Sequence, residues 1–77
     1  MNSNTSLDVL IKLASDNTAL IREGVAGNPN MTKDILVKLA EDENVMVRVK
    51  VKENPNTPPE ILAKLNSDKE IKRFYIY

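Results

Sequence analysis

Lysines recur along this 77-residue sequence every 26 positions, and they are the first side chains that could do chemistry. They are Lys12, Lys38 and Lys64. A stripe of lysines on one face would attract phosphates or an acidic protein partner. However, an acidic residue precedes each lysine by four positions, and such pairs attract each other along a helix. We therefore favour a solvated face, with partner binding as the alternative.

A second recurring set combines arginines with aspartates. It contains Arg22, Arg48 and, after a one-residue deletion in the alignment, Arg73, together with Asp16, Asp42 and Asp68. An aspartate near a helix start and an arginine one or two turns later can bridge adjacent units, which is the structural interpretation we favour. The alternative is that the guanidinium forks point outward and bind a carboxylate or phosphate of a partner.

Catalytic and metal chemistry find little support in the residue types. The sequence contains neither Cys nor His, so it lacks the commonest metal ligand and the side chain best suited to proton transfer near neutral pH. Equivalent carboxylates, one per unit, lack the unlike environments that acid–base catalysis requires. Calcium-loop, Walker A and dinucleotide motifs are missing. We expect no enzyme activity, no cofactor and no metal.

Composition indicates a small globular protein with balanced charge. Eleven basic residues match 11 acidic ones, and 42% of the residues are hydrophobic. Zero net charge gives no general attraction to nucleic acid or anionic lipid. Nucleic-acid binding through the lysine and arginine sets remains the alternative function. No secretory signal is recognisable, and no apolar stretch approaches the ~20 residues that cross a bilayer. A cytoplasmic location without membrane contact is the default expectation.

An internal repeat organises the whole chain. Asn28-Pro29-Asn30 recurs 26 residues later as Asn54-Pro55-Asn56, and apolar, charged and turn residues repeat in phase with it. Periods of this length are typical of stacked helical units. We predict one domain over residues 1–77, made of repeats at about 2–27, 28–53 and 54–77.

Each repeat is predicted to contain a turn, a helix, a second turn and a second helix. Thr57-Pro58-Pro59-Glu60 resembles a capping box, with Thr57 as the cap. In the second repeat, Asn30 or Thr32 must cap instead. The segment 45–52 alternates with period 2, which by itself favours a strand. Its counterpart 19–26 does not alternate, so we predict both as helices. Gly27 is expected in the left-handed conformation that often follows a helix end.

The run Asn54-Pro55-Asn56-Thr57-Pro58-Pro59-Glu60-Ile61-Leu62-Ala63-Lys64-Leu65, with Asp42 and Val47-Arg48 before it, resembles the leucine-rich repeat variant family, a HEAT-like helical repeat. That resemblance implies an all-α fold, a short right-handed α-solenoid of three helix-turn-helix repeats, in which α-helices alternate with short α- or 3₁₀-helices. Some members of the family carry a cysteine-bound iron–sulfur centre. This chain has no Cys, so that cofactor is not expected here.

All three aromatic residues of the sequence lie within its last four positions, Phe74, Tyr75, Ile76 and Tyr77. A terminal repeat has no neighbour to cover its apolar face, and such ends usually carry a polar cap. These four side chains either fold back onto the core of the last repeat or form a contact surface. A contact surface would serve a homodimer or another protein, since aromatic anchors are typical of interface hot spots.

The expected function is a non-enzymatic protein-binding module. Repeat scaffolds provide extended surfaces for partners, and a chain this short would act as a small inhibitor or adaptor. The partner would bind the charged sets or the aromatic C-terminal end.

Overall fold

Six α-helices, arranged as three consecutive pairs, make up the part of the chain that the computed structural model describes, residues 7–75. They are α1 (Leu7–Leu13), α2 (Ala19–Ala26), α3 (Lys33–Leu39), α4 (Val45–Glu53), α5 (Pro59–Asn66) and α6 (Lys69–Phe74). No strand occurs in this range. The prediction of an all-helical protein is therefore confirmed for residues 7–75, and every helix there is an α-helix.

The alternating segment 45–52 forms most of α4. Asn44 caps this helix, because its side-chain oxygen accepts the N–H of Met46 at 2.8 Å. Val47 and Val51 lie four residues apart on one face of α4, whereas Val49 lies on nearly the opposite face, and all three are buried. A helix covered on two sides needs apolar residues on both, and this requirement produces the strand-like alternation. The helical prediction is confirmed.

The second helix of each pair forms the spine of the molecule. Helix α4 packs against α2 on one side and α6 on the other, while α3 and α5 also contact it. The buried core extends along this arrangement, and the described chain measures 42 × 25 × 19 Å. The largest fully buried side chains are Met31, Leu36, Leu39, Leu65, Ile71, Val47, Val49 and Val51.

Two predicted helix boundaries are wrong in detail. Thr57 does not cap α5: Pro58 occupies the cap position, and the buried Thr57 hydroxyl donates a hydrogen bond to the carbonyl of Val51. A residue before proline is driven towards extended backbone, so two successive prolines delay the helix start. Gly27 has a φ of −86°, which is not left-handed, and α2 ends there in right-handed geometry. In the second repeat Thr32 caps α3, one of the two predicted candidates.

Asparagine side chains connect the Asn-Pro-Asn turns to one another. Asn54 is buried, and its amide nitrogen donates to the carbonyls of Ala26 at 2.7 Å and Asn28 at 2.8 Å. Asn56 donates to the carbonyl of Pro29 at 2.7 Å. These bonds hold the Asn54-Pro55-Asn56 turn directly against the Asn28-Pro29-Asn30 turn. The turns therefore set the spacing of the helix pairs that follow them.

Candidate partner-binding surfaces

Arg22 joins the first helix pair to the second. Its Nε donates to Oδ2 of Asp42 at 2.7 Å, and its Nη2 donates to Oδ1 of the same carboxylate at 3.2 Å. A third bond runs from Nη1 to the carbonyl of Asp16 at 2.6 Å. The hydrogen bond to Asp42 raises the pKa of Arg22. This geometry matches the bridging arrangement expected between adjacent units.

Arg48 makes the equivalent junction between the second and third pairs. Its Nε donates to Oδ2 of Asp68 at 2.9 Å, and its Nη1 donates to the carbonyl of Asp42 at 2.7 Å. It also forms an ion pair with Glu70. Arg48 is only 8% exposed. Because Arg22 and Arg48 both use their forks inside the molecule, neither presents a free fork to an outside phosphate.

Arg73 does not occupy the third position of this series. Arg22 and Arg48 are the fourth residues of α2 and α4, but the fourth residue of α6 is Lys72. Helix α6 starts at Lys69, 24 residues after the start of α4 at Val45, instead of the 26 that separate the starts of α2 and α4. Asp68 therefore performs two tasks. Its carboxylate accepts a hydrogen bond from Arg48, and it also caps α6 by accepting one from the N–H of Ile71 at 3.1 Å. The one-residue deletion inferred from the sequence is thus a two-residue deletion in the structure.

The two bridging aspartates are held in their charged form. Burial would raise the pKa of Asp42, but hydrogen bonds from the Arg22 guanidinium and the Asn44 N–H outweigh burial and lower it. Burial likewise would raise the pKa of Asp68, but the amide N–H at the start of α6 and the Arg48 guanidinium bring it below its ordinary value. Both junctions are consequently strongest at neutral pH.

The free energy of unfolding should fall as the solution is acidified. A lowered folded-state pKa gives stability that is fully present above the unfolded value, near 3.9, and is lost as the pH falls through the folded value. We expect the loss to occur between about pH 5 and pH 2. Urea unfolding at about pH 7, 5 and 3 measures it.

The matched control for this pH dependence is the double variant Asp42→Asn/Asp68→Asn. It keeps side-chain oxygens that can accept the capping N–H groups but removes both charges. Its stability should be lower than that of the parent at pH 7, and it should change less with pH. A parent and double variant with parallel pH profiles would contradict the assignment.

Two of the three recurring lysines, Lys38 and Lys64, contact the preceding helix pair. Lys38 donates a hydrogen bond to the hydroxyl of Ser15, and Lys64 pairs with Glu41 at 3.1 Å. Within residues 7–75, Lys12 forms no ion pair, and none of the three lysines pairs with the acidic residue four positions before it. An ion pair between residues four positions apart on an exposed helix is weak in water. Lys38 and Lys64 instead contact residues 23 positions earlier, which the fold brings close.

The aromatic end divides into a packed residue and an exposed one. Tyr75 packs against the core, its hydroxyl donates to Glu53 at 2.9 Å, and Lys52 Nζ lies 4.5 Å from its ring centroid. Phe74 is 46% exposed and meets Tyr75 edge to face, with ring centroids 5.4 Å apart. Ile76 and Tyr77, the other two predicted contact residues, lie outside the described residues.

An exposed apolar surface on the first helix pair was not predicted from the sequence. Helix α1 has no buried residue, and in α2 Leu20 is 74% exposed and Ile21 38% exposed. Val47, the equivalent of Ile21 in α4, is fully buried because α2 covers it. A signal was available: in a stacked array the first unit lacks one neighbour, so its core residues stay uncovered.

A shallow polar pocket lies at the turns that precede α2 and α4. Its lining includes Asp16, Arg22, Lys38 and Asp42. Both charge signs are present, and the arginine is already bonded to both turns. The pocket suits a polar side chain of a protein better than a phosphate, because acidic oxygens share the site.

No group of acidic side chains suited to a metal ion occurs among residues 7–75. None of the helices described is long and apolar enough to cross a membrane. Comparison with protein families, with curated proteins and with solved structures finds no match to this chain.

Proposed function

We propose that this chain is a non-enzymatic protein-binding module, a small inhibitor or adaptor that binds its partner through an exposed end of the helical array. The observation that carries the proposal is the apolar surface of α2, where Leu20 and Ile21 remain exposed. Contiguous apolar surface of this kind is typical of interaction sites in soluble proteins. The polar pocket at Asp16, on the turns of the first two helix pairs, offers hydrogen-bonding groups as well.

A short right-handed solenoid of three repeats is the architecture that we propose for the array. Two regularities support it. Arg22 and Arg48 each bond an aspartate 20 positions later, and Lys38 and Lys64 each contact a residue 23 positions earlier. Equal offsets at successive junctions are expected when equivalent units stack by the same operation. The resemblance to leucine-rich repeat variants has the same implication.

Affinity capture tests the binding function. The parent chain and a Leu20→Glu/Ile21→Glu variant are immobilised separately, exposed to lysate of the source cells, and the retained proteins are compared by mass spectrometry. We expect at least one protein that the parent retains and the variant loses. The control is Lys33→Glu, an exposed change on α3, which should retain the same protein. Equal retention by all three chains would contradict the proposal.

Nucleic-acid binding is the weaker candidate. Lys64 lies beside Glu41, and Arg22 and Arg48 bond to aspartates, so half of the six recurring cations are already neutralised. Phosphate contacts would produce affinity that falls steeply with salt. We expect no electrophoretic mobility shift of DNA or RNA at low salt, and a salt-sensitive shift would reverse the ranking of the two functions.

A further inference from the structure

The two ends of the helical array are complementary halves of the junction that the chain already makes twice. At each internal junction, the fourth residue of one second helix donates to an aspartate in the turn before the next: Arg22 to Asp42, then Arg48 to Asp68. The third residue of the later helix, Val47 or Ile71, is buried beneath the earlier helix. Each junction therefore combines one cation, one aspartate and one covered apolar side chain.

The N-terminal end carries the acceptor half of this junction without a donor. Asp16 occupies the position of Asp42, and its Oδ1 accepts the N–H of Thr18 at 2.8 Å, as Asp42 accepts Asn44 at 2.9 Å. Within residues 7–75 no cation pairs with Asp16. Ile21 occupies the position of Val47 and Ile71 and is exposed. A further helix with a basic fourth residue would complete the site.

The C-terminal end carries the donor half. Lys72 is the fourth residue of α6, it is exposed, and it forms no ion pair in the described chain. Phe74 is exposed as well, but it lies two residues from Lys72 and therefore on nearly the opposite side of α6. This end thus offers the cation that the N-terminal end lacks.

We propose that the N-terminal end of one copy binds the C-terminal end of a second copy, so that Lys72 of α6 meets Asp16 and α6 covers Ile21, as α2 covers Val47 and α4 covers Ile71. Charge complementarity selects this occupant. Two N-terminal ends would oppose aspartate to aspartate, and two C-terminal ends would oppose lysine to lysine. The inference rests on the proposed binding function and names its partner as a second copy of this chain.

The predicted contact is heterologous, which gives it a distinctive consequence. A head-to-tail contact leaves one free end of each kind and continues into open chains unless the rotation closes a ring. Lys72 is a single point donor, whereas Arg22 and Arg48 bind as forks, so the external junction is weaker than the internal ones. We expect reversible association at roughly 10–500 µM chain, the regime of small interfaces.

Sedimentation velocity with charge-reversed variants tests the contact. The parent chain, of 8.6 kDa, should show a mean mass that rises steadily with concentration. Asp16→Lys and Lys72→Glu should each remain monomeric, because each lacks one half of the junction. Mixed in equal amounts, they should associate again into alternating chains, because the native pair of ends and the charge-reversed pair of ends are both compatible between the two variants.

Three controls make the result decisive. Ile21→Glu provides a second block of the N-terminal end in case Asp16→Lys fails to fold, and circular dichroism checks the fold of each variant. Lys33→Glu, away from both ends, should associate like the parent. A parent that stays monomeric to about 1 mM, far above the expected range, would overturn the proposal. A dimer that saturates and ignores Asp16→Lys would also overturn it, while capture of another protein would leave the proposed function intact.

Discussion

Replacing Arg48 with methionine should lower the free energy of unfolding by about 2–3 kcal/mol. The change leaves the Asp68 carboxylate and the Asp42 carbonyl without their guanidinium donor at a junction where Arg48 is almost completely covered. A buried acceptor without its donor carries its full desolvation cost. For a domain of this size the unfolding midpoint should fall by on the order of 15 °C.

Two control variants distinguish the loss of the Arg48 junction from the general effect of removing an arginine. Arg73→Met removes an exposed arginine that forms no ion pair with any described residue, and it should change stability by less than about 0.5 kcal/mol. Arg48→Met/Asp68→Asn removes both charges while keeping a capping oxygen at the start of α6, so it should recover part of the loss. Chemical denaturation measures all three. Equal stability of Arg48→Met and Arg73→Met would refute the assignment of Arg48 as a structural bridge.

The second large effect is expected at Asn54, where alanine should cost about 3 kcal/mol. The amide of Asn54 is the donor to two carbonyls of the preceding turn, and its oxygen accepts the N–H of Asn56 at 2.9 Å. Alanine leaves the Ala26 carbonyl and the Asn56 N–H without this partner in a site where Asn54 is 4% exposed, while the Asn28 carbonyl keeps only the N–H of Met31. The rate of amide hydrogen exchange should also rise at the turn that contains Asn28, because that turn loses its hydrogen bond to Asn54.

The matched control is Asn66→Ala, since Asn66 is the exposed last residue of α5. Its effect should stay within about 0.5 kcal/mol. If Asn54→Ala were no more destabilising than this control, the turn-to-turn bonds would contribute little. The spacing of the helix pairs would then depend on apolar packing alone.

Much of the helical organisation follows from periodicity in the sequence. The 26-residue offset placed 45–52 in the same class as 19–26, and this comparison overruled the local strand pattern of the alternating valines correctly. The same offset groups the arginines with the aspartates, and Arg22 and Arg48 do bond to Asp42 and Asp68. The right-handed solenoid remains a prediction, as do the binding function and the homodimer through the aromatic end.

The predictions that went wrong depended on local rules that neighbouring residues override. A capping box at Thr57 is a sound local pattern, but Pro58 and Pro59 moved the helix start and freed the Thr57 hydroxyl for Val51. The sequence alignment predicts Arg73 in the arginine series, whereas α6 begins two residues earlier than the 26-residue period predicts and Asp68 acts as cap and ion-pair partner together. Neither outcome could be read from residue types alone.

Residue types and their period determined that the chain is helical and, before α6, which positions correspond, because apolar period and turn residues act within a few neighbours along the chain. Only the tertiary structure decided which equivalent residues are covered. Ile21 and Val47 hold the same position, yet one is exposed and the other buried. The reason is physical: burial and ion pairing depend on pairs of helices, and within residues 7–75 no second helix of an earlier pair covers α2 in the way that α2 covers α4.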